Sequence, residues 1–160
     1  MGKNLHVYNK EAIKKEPFLP MDRPFARSLK IISPVDLEIK WVNATIGNGV
    51  FAKQSIKKGA FVCEYVGLIT REKDIDPDNR YIFNLTVGDD ETGFVLDARY
   101  SGNVARTINH ADFPNLEAIT IFIDGQPRVI YAACRDIQKG EELSVDYGED
   151  YWNTWKEQKR

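Results

Sequence analysis

The chain is poor in the residues that staple or metallate small proteins: 160 residues hold two cysteines and two histidines. Cys63 and Cys134 lie far apart, each inside an apolar run, and neither stands at ligand spacing from a histidine. That excludes a disulfide framework and a compact zinc module, so we expect no metal. Both cysteines read as small core hydrophobes of a reducing compartment. Also absent is any apolar run near the ~20 residues that span a bilayer. Met1–Glu16 carries no apolar leader segment, so we expect an intracellular protein without a membrane partner. No excess of positive charge exists either. Lys and Arg number 22 against 24 Asp and Glu, a net charge of −2, which argues against a general nucleic-acid footprint. A basic peptide partner remains compatible with that charge.

Long amphipathic helical segments are missing too, which disfavours a doubly wound α/β fold. What is present is strand. Short runs rich in Val, Ile, Phe and Tyr, separated by turn residues, predict strands over Glu38–Val42, Gly49–Ala52, Phe61–Ile69, Tyr81–Val87, Phe94–Leu96, Ala118–Ile123, Val129–Ala133 and Leu143–Val145. One turn occurs twice, Ser55-Ile-Lys-Lys-Gly59 and Asp136-Ile-Gln-Lys-Gly140, without flanking similarity that would make it a true repeat. Single helical turns are expected at Arg71–Ile75 and Gly102–Ile108. A short C-terminal helix is expected over Asp150–Lys159, with Tyr151, Trp152 and Trp155 clustered and cations at its end. The reading is therefore mainly β with a few short helices. Residues 1–37 form an N-terminal arm broken by Pro17, Pro20, Pro24 and Pro34. Its later half, with Phe18, Leu19, Phe25, Leu29, Ile31 and Ile32, is too apolar for a solvated tail, so the arm should be partly ordered, its first dozen residues mobile.

Three segments carry candidate chemistry. Gly47-Asn48-Gly49 before an apolar strand allows a ligand to approach main-chain N–H groups, although a plain turn explains it equally well. Asn103-Val-Ala-Arg106-Thr-Ile-Asn109-His110, followed by Pro114-Asn115, runs an apolar stretch straight into polar side chains that need partners. Glu141-Glu142-Leu143-Ser144-Val145-Asp146-Tyr147-Gly148 ends a short strand on a tyrosine that either lines a cleft or is a core phenol.

Taken in order with Phe61-Val-Cys-Glu-Tyr-Val-Gly67 and Tyr81-Ile-Phe-Asn-Leu85, these segments resemble the SET domain of protein lysine methyltransferases, over roughly residues 38–152. The resemblance is to the compact viral and microbial form without flanking zinc modules, with residues 153–160 as a short helical extension. It implies a β-clip-like fold of several small curved sheets with a C-terminal pseudoknot, a rare threaded topology. It implies S-adenosylmethionine as methyl donor and S-adenosylhomocysteine as product. Asn48, Gly49 and Val50 match the loop for the donor's methionine part, and Tyr81 matches a donor-contacting aromatic. Arg106, Asn109 and His110 match the segment for its amino-acid end and adenine, with Trp152 as a stacking cover. Tyr147 matches the catalytic tyrosine, also beside the donor. It would orient the substrate amine rather than act as general base, since a phenol of pKa about 10 is protonated at neutral pH. Val145, Ala118 and Tyr81 would line the lysine channel. The first two are small, so the channel should be roomy and allow di- or trimethylation.

Two departures matter. Asp112 stands where many members have a zinc-bound cysteine, and Ala111 replaces a frequent serine. The missing channel wall then falls to the aromatic C-terminal segment, the arm, or a second subunit in a homodimer. The resemblance points to a histone tail as substrate, and hence to a nuclear or host-nuclear site of action. The alternatives are a non-histone basic protein, or a SET-like module that binds peptide without turnover. Retention of Asn109-His110 and Tyr147 favours an enzyme.

Overall fold

The computed structural model describes residues 35–87, 90–123, 126–149 and 151–152. It is built almost wholly of strands, arranged as four small sheets. Strands β1 (Leu37–Asn43) and β2 (Gly47–Ala52) form an antiparallel ribbon. Strand β3 (Phe61–Tyr65) joins β9 (Gln126–Ala133) and β8 (Leu116–Ile123) in the order β3-β9-β8. Strand β4 (Leu68–Arg71) joins β6 (Asp90–Asp97) and β5 (Ile82–Val87) in the order β4-β6-β5. The fourth sheet is a parallel pair of two residues each, β7 (Asn109–His110) beside β10 (Ser144–Val145). Three-residue and four-residue 3-10 turns at Glu72–Asp74 and Val104–Thr107 stand where helical turns were expected.

One core serves all four sheets. Val50, Val62, Leu85, Leu96, Ile108, Leu116, Val129 and Leu143 are almost completely buried; they come from β2, β3, β5, β6, β8 and β9 and from the residues just before β7 and β10. Each such side chain contributes roughly 1.5–3 kcal/mol by leaving water. A second kind of tie crosses the core: the buried guanidinium of Arg128 on β9 donates two bonds to the Glu64 carboxylate on β3, one of them at 2.7 Å.

The predicted strand Phe61–Ile69 is in fact two strands in two different sheets. Gly67 explains the break. A Cβ there would lie 2.7 Å from the Asp97 carbonyl oxygen, so only glycine lets the chain cross β6 so closely. Other strands lengthen, notably Phe94–Leu96 into β6, because their polar ends still pair within the ladders. The duplicated turn has a structural use that its sequence did not reveal. The two copies lie against each other, with Ile56 and Ile137 exchanging N–H···O bonds of 2.8 Å in both directions. Both copies end on a glycine at positive φ, 84° at Gly59 and 92° at Gly140, a region costly for other residues. The arm up to residue 34 and the segment 153–160, including Trp155, lie outside the described residues. Helix begins at Glu149 and includes Tyr151 and Trp152.

Candidate active site

Three chain segments far apart in sequence meet at β7. The polar residues that end the apolar stretch are positioned first by a cap: the Asn103 side-chain oxygen accepts from Ala105 N–H and starts the Val104–Thr107 turn. The Asn103 amide nitrogen donates to the Glu64 carbonyl oxygen at 2.8 Å, fixing the turn to β3. Ile108, 1% exposed, anchors the segment in the core. The chain then emerges at Asn109 and His110.

Asn115 holds the second segment. It is 2% exposed and bonded at both ends of its amide: the nitrogen donates to the Glu142 carbonyl at 2.8 Å, and the side-chain oxygen accepts from Ser144 N–H at 2.9 Å. A buried amide leaves no room for unmet bonds, so this pairing locks the Pro114-Asn115 turn to the C-terminal strand. Beyond it, β10 runs parallel to β7, and Tyr147 follows. Its hydroxyl donates to the Ile108 carbonyl oxygen at 2.8 Å, and its N–H donates to His110 Nδ1 at 3.2 Å. Nδ1 is therefore the acceptor, which puts the ring proton on Nε2, 3.3 Å from Asp112 Oδ1. Burial above all, then the neighbouring phenols of Tyr151 and Tyr81, pushes the Tyr147 phenol well above its ordinary value.

Around Tyr147 the C-terminal aromatics close in. Tyr151 meets it edge-on at 4.6 Å between ring centroids, Trp152 lies over it at 6.4 Å, and Trp152 also meets His110 edge-on at 4.9 Å. His110, Tyr147 and Trp152, singled out from sequence, are thus brought together. Tyr81 faces the same region, with the Arg106 guanidinium 5.1 Å above its ring. Arg106 Nη1 donates to the carbonyls of Ala98 and Arg99, at 3.1 and 2.8 Å, which ties the guanidinium into the turn after β6. Asn48 joins the cluster through its carbonyl, which accepts from Asn109 Nδ2 at 3.0 Å, while Gly49 and Val50 are buried beneath it. Val145 is 2% exposed at the crossing. Ala118 is exposed on β8, opposite Tyr131.

Glu142 and Asn115 were named only within their segments and given no role of their own, and none was given to Tyr65 and Tyr131. The last two are buried with Phe83 in one aromatic cluster, 5.5 to 6.4 Å between centroids. Burial, reinforced by the other phenols including that of Tyr147, pushes the phenols of both tyrosines up. Their signal was faint: each is one tyrosine in an otherwise ordinary strand.

The model of the SET domain matches residues 47–148. The chain belongs to the SET-domain family. Its SET domain is 42% identical to mouse (Mus musculus) histone-lysine N-methyltransferase EHMT1 over 114 residues, covering 68% of this chain and 9% of that protein. It is 39% identical to histone-lysine N-methyltransferase SUV39H2 of Xenopus tropicalis over 113 residues, covering 63% of this chain and 27% of that one. The chain therefore spans less than a third of the length of these relatives. Among solved structures it is similar to a humanized mutant of the Chaetomium thermophilum polycomb repressive complex 2 bound to the inhibitor GSK126. That match has a TM-score of 0.66 and 28% identity, and it covers 76% of this chain and 16% of the other.

Proposed function

We propose that this SET domain is a protein-lysine N-methyltransferase that uses S-adenosylmethionine and acts on a lysine in a histone tail. The observation that carries the reading is the Tyr147 phenol, hydrogen-bonded to the Ile108 carbonyl directly beside the Asn109-His110 strand. It stands at the crossing of two distant chain segments, in the position the family resemblance makes catalytic.

The residues present suit the donor. Tyr81 and Trp152 are 42% and 41% exposed, offering flat faces for stacking. The outer edge of β7 pairs with no strand among the described residues, so its main-chain groups are free to read the edge of an adenine. Asn48, Gly49, Val50, Arg106, Asn109 and His110 would frame the rest. When bound, the donor supplies a methyl group on a cationic sulfur.

The chain's own part is to bring a neutral amine in line with that methyl. A lysine ammonium, pKa about 10.4 in water, must first lose a proton. A desolvated channel beside a cation lowers that value, because both effects disfavour the charged amine. Tyr147 keeps its proton throughout, since burial raises its pKa, so it orients the amine and does not take its proton. Val145 and Ala118 bring no hydroxyl to the channel, which supports di- or trimethylation. Trp152 and Tyr151 supply the channel wall that flanking modules provide in longer relatives. A histone substrate makes the nucleus, or a host nucleus, the site of action.

Radiolabelled methyl transfer to a panel of histones and lysate proteins tests this. Histone should be labelled, and Tyr147→Phe should lose most of the signal. Labelling of a different basic protein would move the substrate and keep the enzyme. Donor binding without transfer to any protein would leave a peptide-binding module.

A further inference from the structure

In the β1–β2 ribbon, Leu37 stands opposite Ala52, Ile39 opposite Val50 and Trp41 opposite Asn48. Residues directly opposite each other in an antiparallel pair share a face. Ala52 and Val50 belong to the core, so Leu37, Ile39 and Trp41 form the row that β1 turns to the same side as that core. The row nevertheless runs out of cover. Leu37 is partly buried against the core, but Ile39 is 51% exposed and Trp41 67%. Ile46, in the turn after β1, is a third exposed apolar side chain close by. The far edge of β1 pairs with no strand among the described residues. Large apolar side chains left open side by side, on the face a strand shares with its core, mark a surface that binds something.

We propose that the occupant is this chain's own segment 25–32, which packs on the Ile39–Trp41 row of β1. The chain enters the fold at the right place: Val35 is buried in the core cluster two residues before β1, and the Asp36 carbonyl accepts from Lys53 N–H at 3.0 Å. Segment 25–32 lies just upstream and reads Phe25-Ala-Arg-Ser-Leu29-Lys-Ile31-Ile32, apolar at five positions and without an acidic residue. Its reach suffices. From Leu37 to Trp41 is about 13 Å at roughly 3.3 Å per residue of strand, so a segment ending three residues before Val35 can double back along the whole row. A tether this short also presents the segment at an effective concentration in the millimolar range, far above that of a second copy in dilute solution. Burying the row would extend the core past β2 by the same apolar transfer that holds the rest of the domain.

Trypsin digestion of the full chain, followed by mass spectrometry, tests the docking, with a synthetic peptide of residues 1–34 giving the intrinsic cleavage rates. In the folded chain, cleavage after Arg27 and Lys30 should be at least about tenfold slower than in the peptide, while cleavage after Lys10 stays within about twofold. The double variant Ile39→Asp with Trp41→Asp should bring Arg27 and Lys30 back to within about threefold of the peptide. Both side chains are more than half exposed, so the core should survive, and an unchanged rate of Cys63 alkylation checks that it does. Leu29→Asp with Ile31→Asp approaches the contact from the other side and should release the same two sites with the fold untouched. Cleavage of the unaltered chain at the peptide's rate would overturn the proposal. Protection that survives the β1 double variant would overturn it too, because the segment would then be held elsewhere. Protection that grows with protein concentration, alongside a dimer by light scattering, would give the surface to a second copy instead.

Discussion

Among the carboxylates that meet planar nitrogen donors, Glu64 and Glu142 do so in opposite settings. Glu64 and Arg128 face each other across β3 and β9 with 6% and 2% exposure, in the middle of a sheet. Glu142 and Asn109 meet at the half-buried crossing, where one member still has an unused atom. The first pair is closed: each carboxylate oxygen accepts a bond from the guanidinium, and nothing is offered outward. The second is open, and points an acceptor away from the protein. Closed pairs hold a fold at a desolvation cost. Open pairs use the same chemistry and leave an acceptor over.

Breaking the closed pair should have the largest effect. Arg128→Met leaves Glu64 buried without its partner and should cost about 3–5 kcal/mol in urea unfolding. The double variant Glu64→Leu with Arg128→Met should recover most of that, because an apolar pair pays no desolvation penalty. A double variant as unstable as the single one would mean that the pair does more than neutralise itself.

The site should respond in rate and not in stability. Tyr147→Phe removes the phenol that touches Ile108 and should lower kcat about 100-fold or more, while the melting temperature shifts little. A kcat within a few-fold of the unaltered chain would displace Tyr147 from its role.

The pH profile sharpens the contrast. Burial raises the Tyr147 pKa, so the phenol stays neutral as pH rises through its ordinary value near 10. Peptide kcat/KM should therefore climb with pH as the substrate lysine loses its proton, with no falling limb near pH 10 from this tyrosine. A falling limb there that vanishes in Tyr147→Phe would reverse the assignment.

The smallest effect concerns the thiols. Burial first, and the Glu64 charge second, push Cys63 up to about 12, so native protein should resist alkylation there at pH 8. Cys134 is only half-buried and should react first, as peptide mapping after iodoacetamide would report.

Much of this was legible in sequence, for physical reasons that differ by element. The mainly-β class followed from short Val- and Ile-rich runs. The crossing followed from the order of segments that the family shares. The roles expected of Asn109, His110, Tyr147 and Trp152 came from the family resemblance, since an apolar stretch that runs into polar residues says only that they need partners; the structure does bring His110, Tyr147 and Trp152 together. The split of Phe61–Ile69 into β3 and β4 was not readable. It depends on Gly67 lying against Asp97, a contact made by residues 30 positions apart. Glu142 was hidden likewise, as one acidic residue beside another. Glu141 pairs with Arg135 at the surface while Glu142 turns inward, and sequence alone ranks neither above the other.

The most direct measurement is mass spectrometry of a histone tail peptide after incubation with the chain and S-adenosylmethionine, beside a Tyr147→Phe control. The unaltered chain should place two or three methyl groups on one lysine, and the variant almost none. Equal methylation by both, or an unmodified lysine in every histone peptide tried, would contradict it.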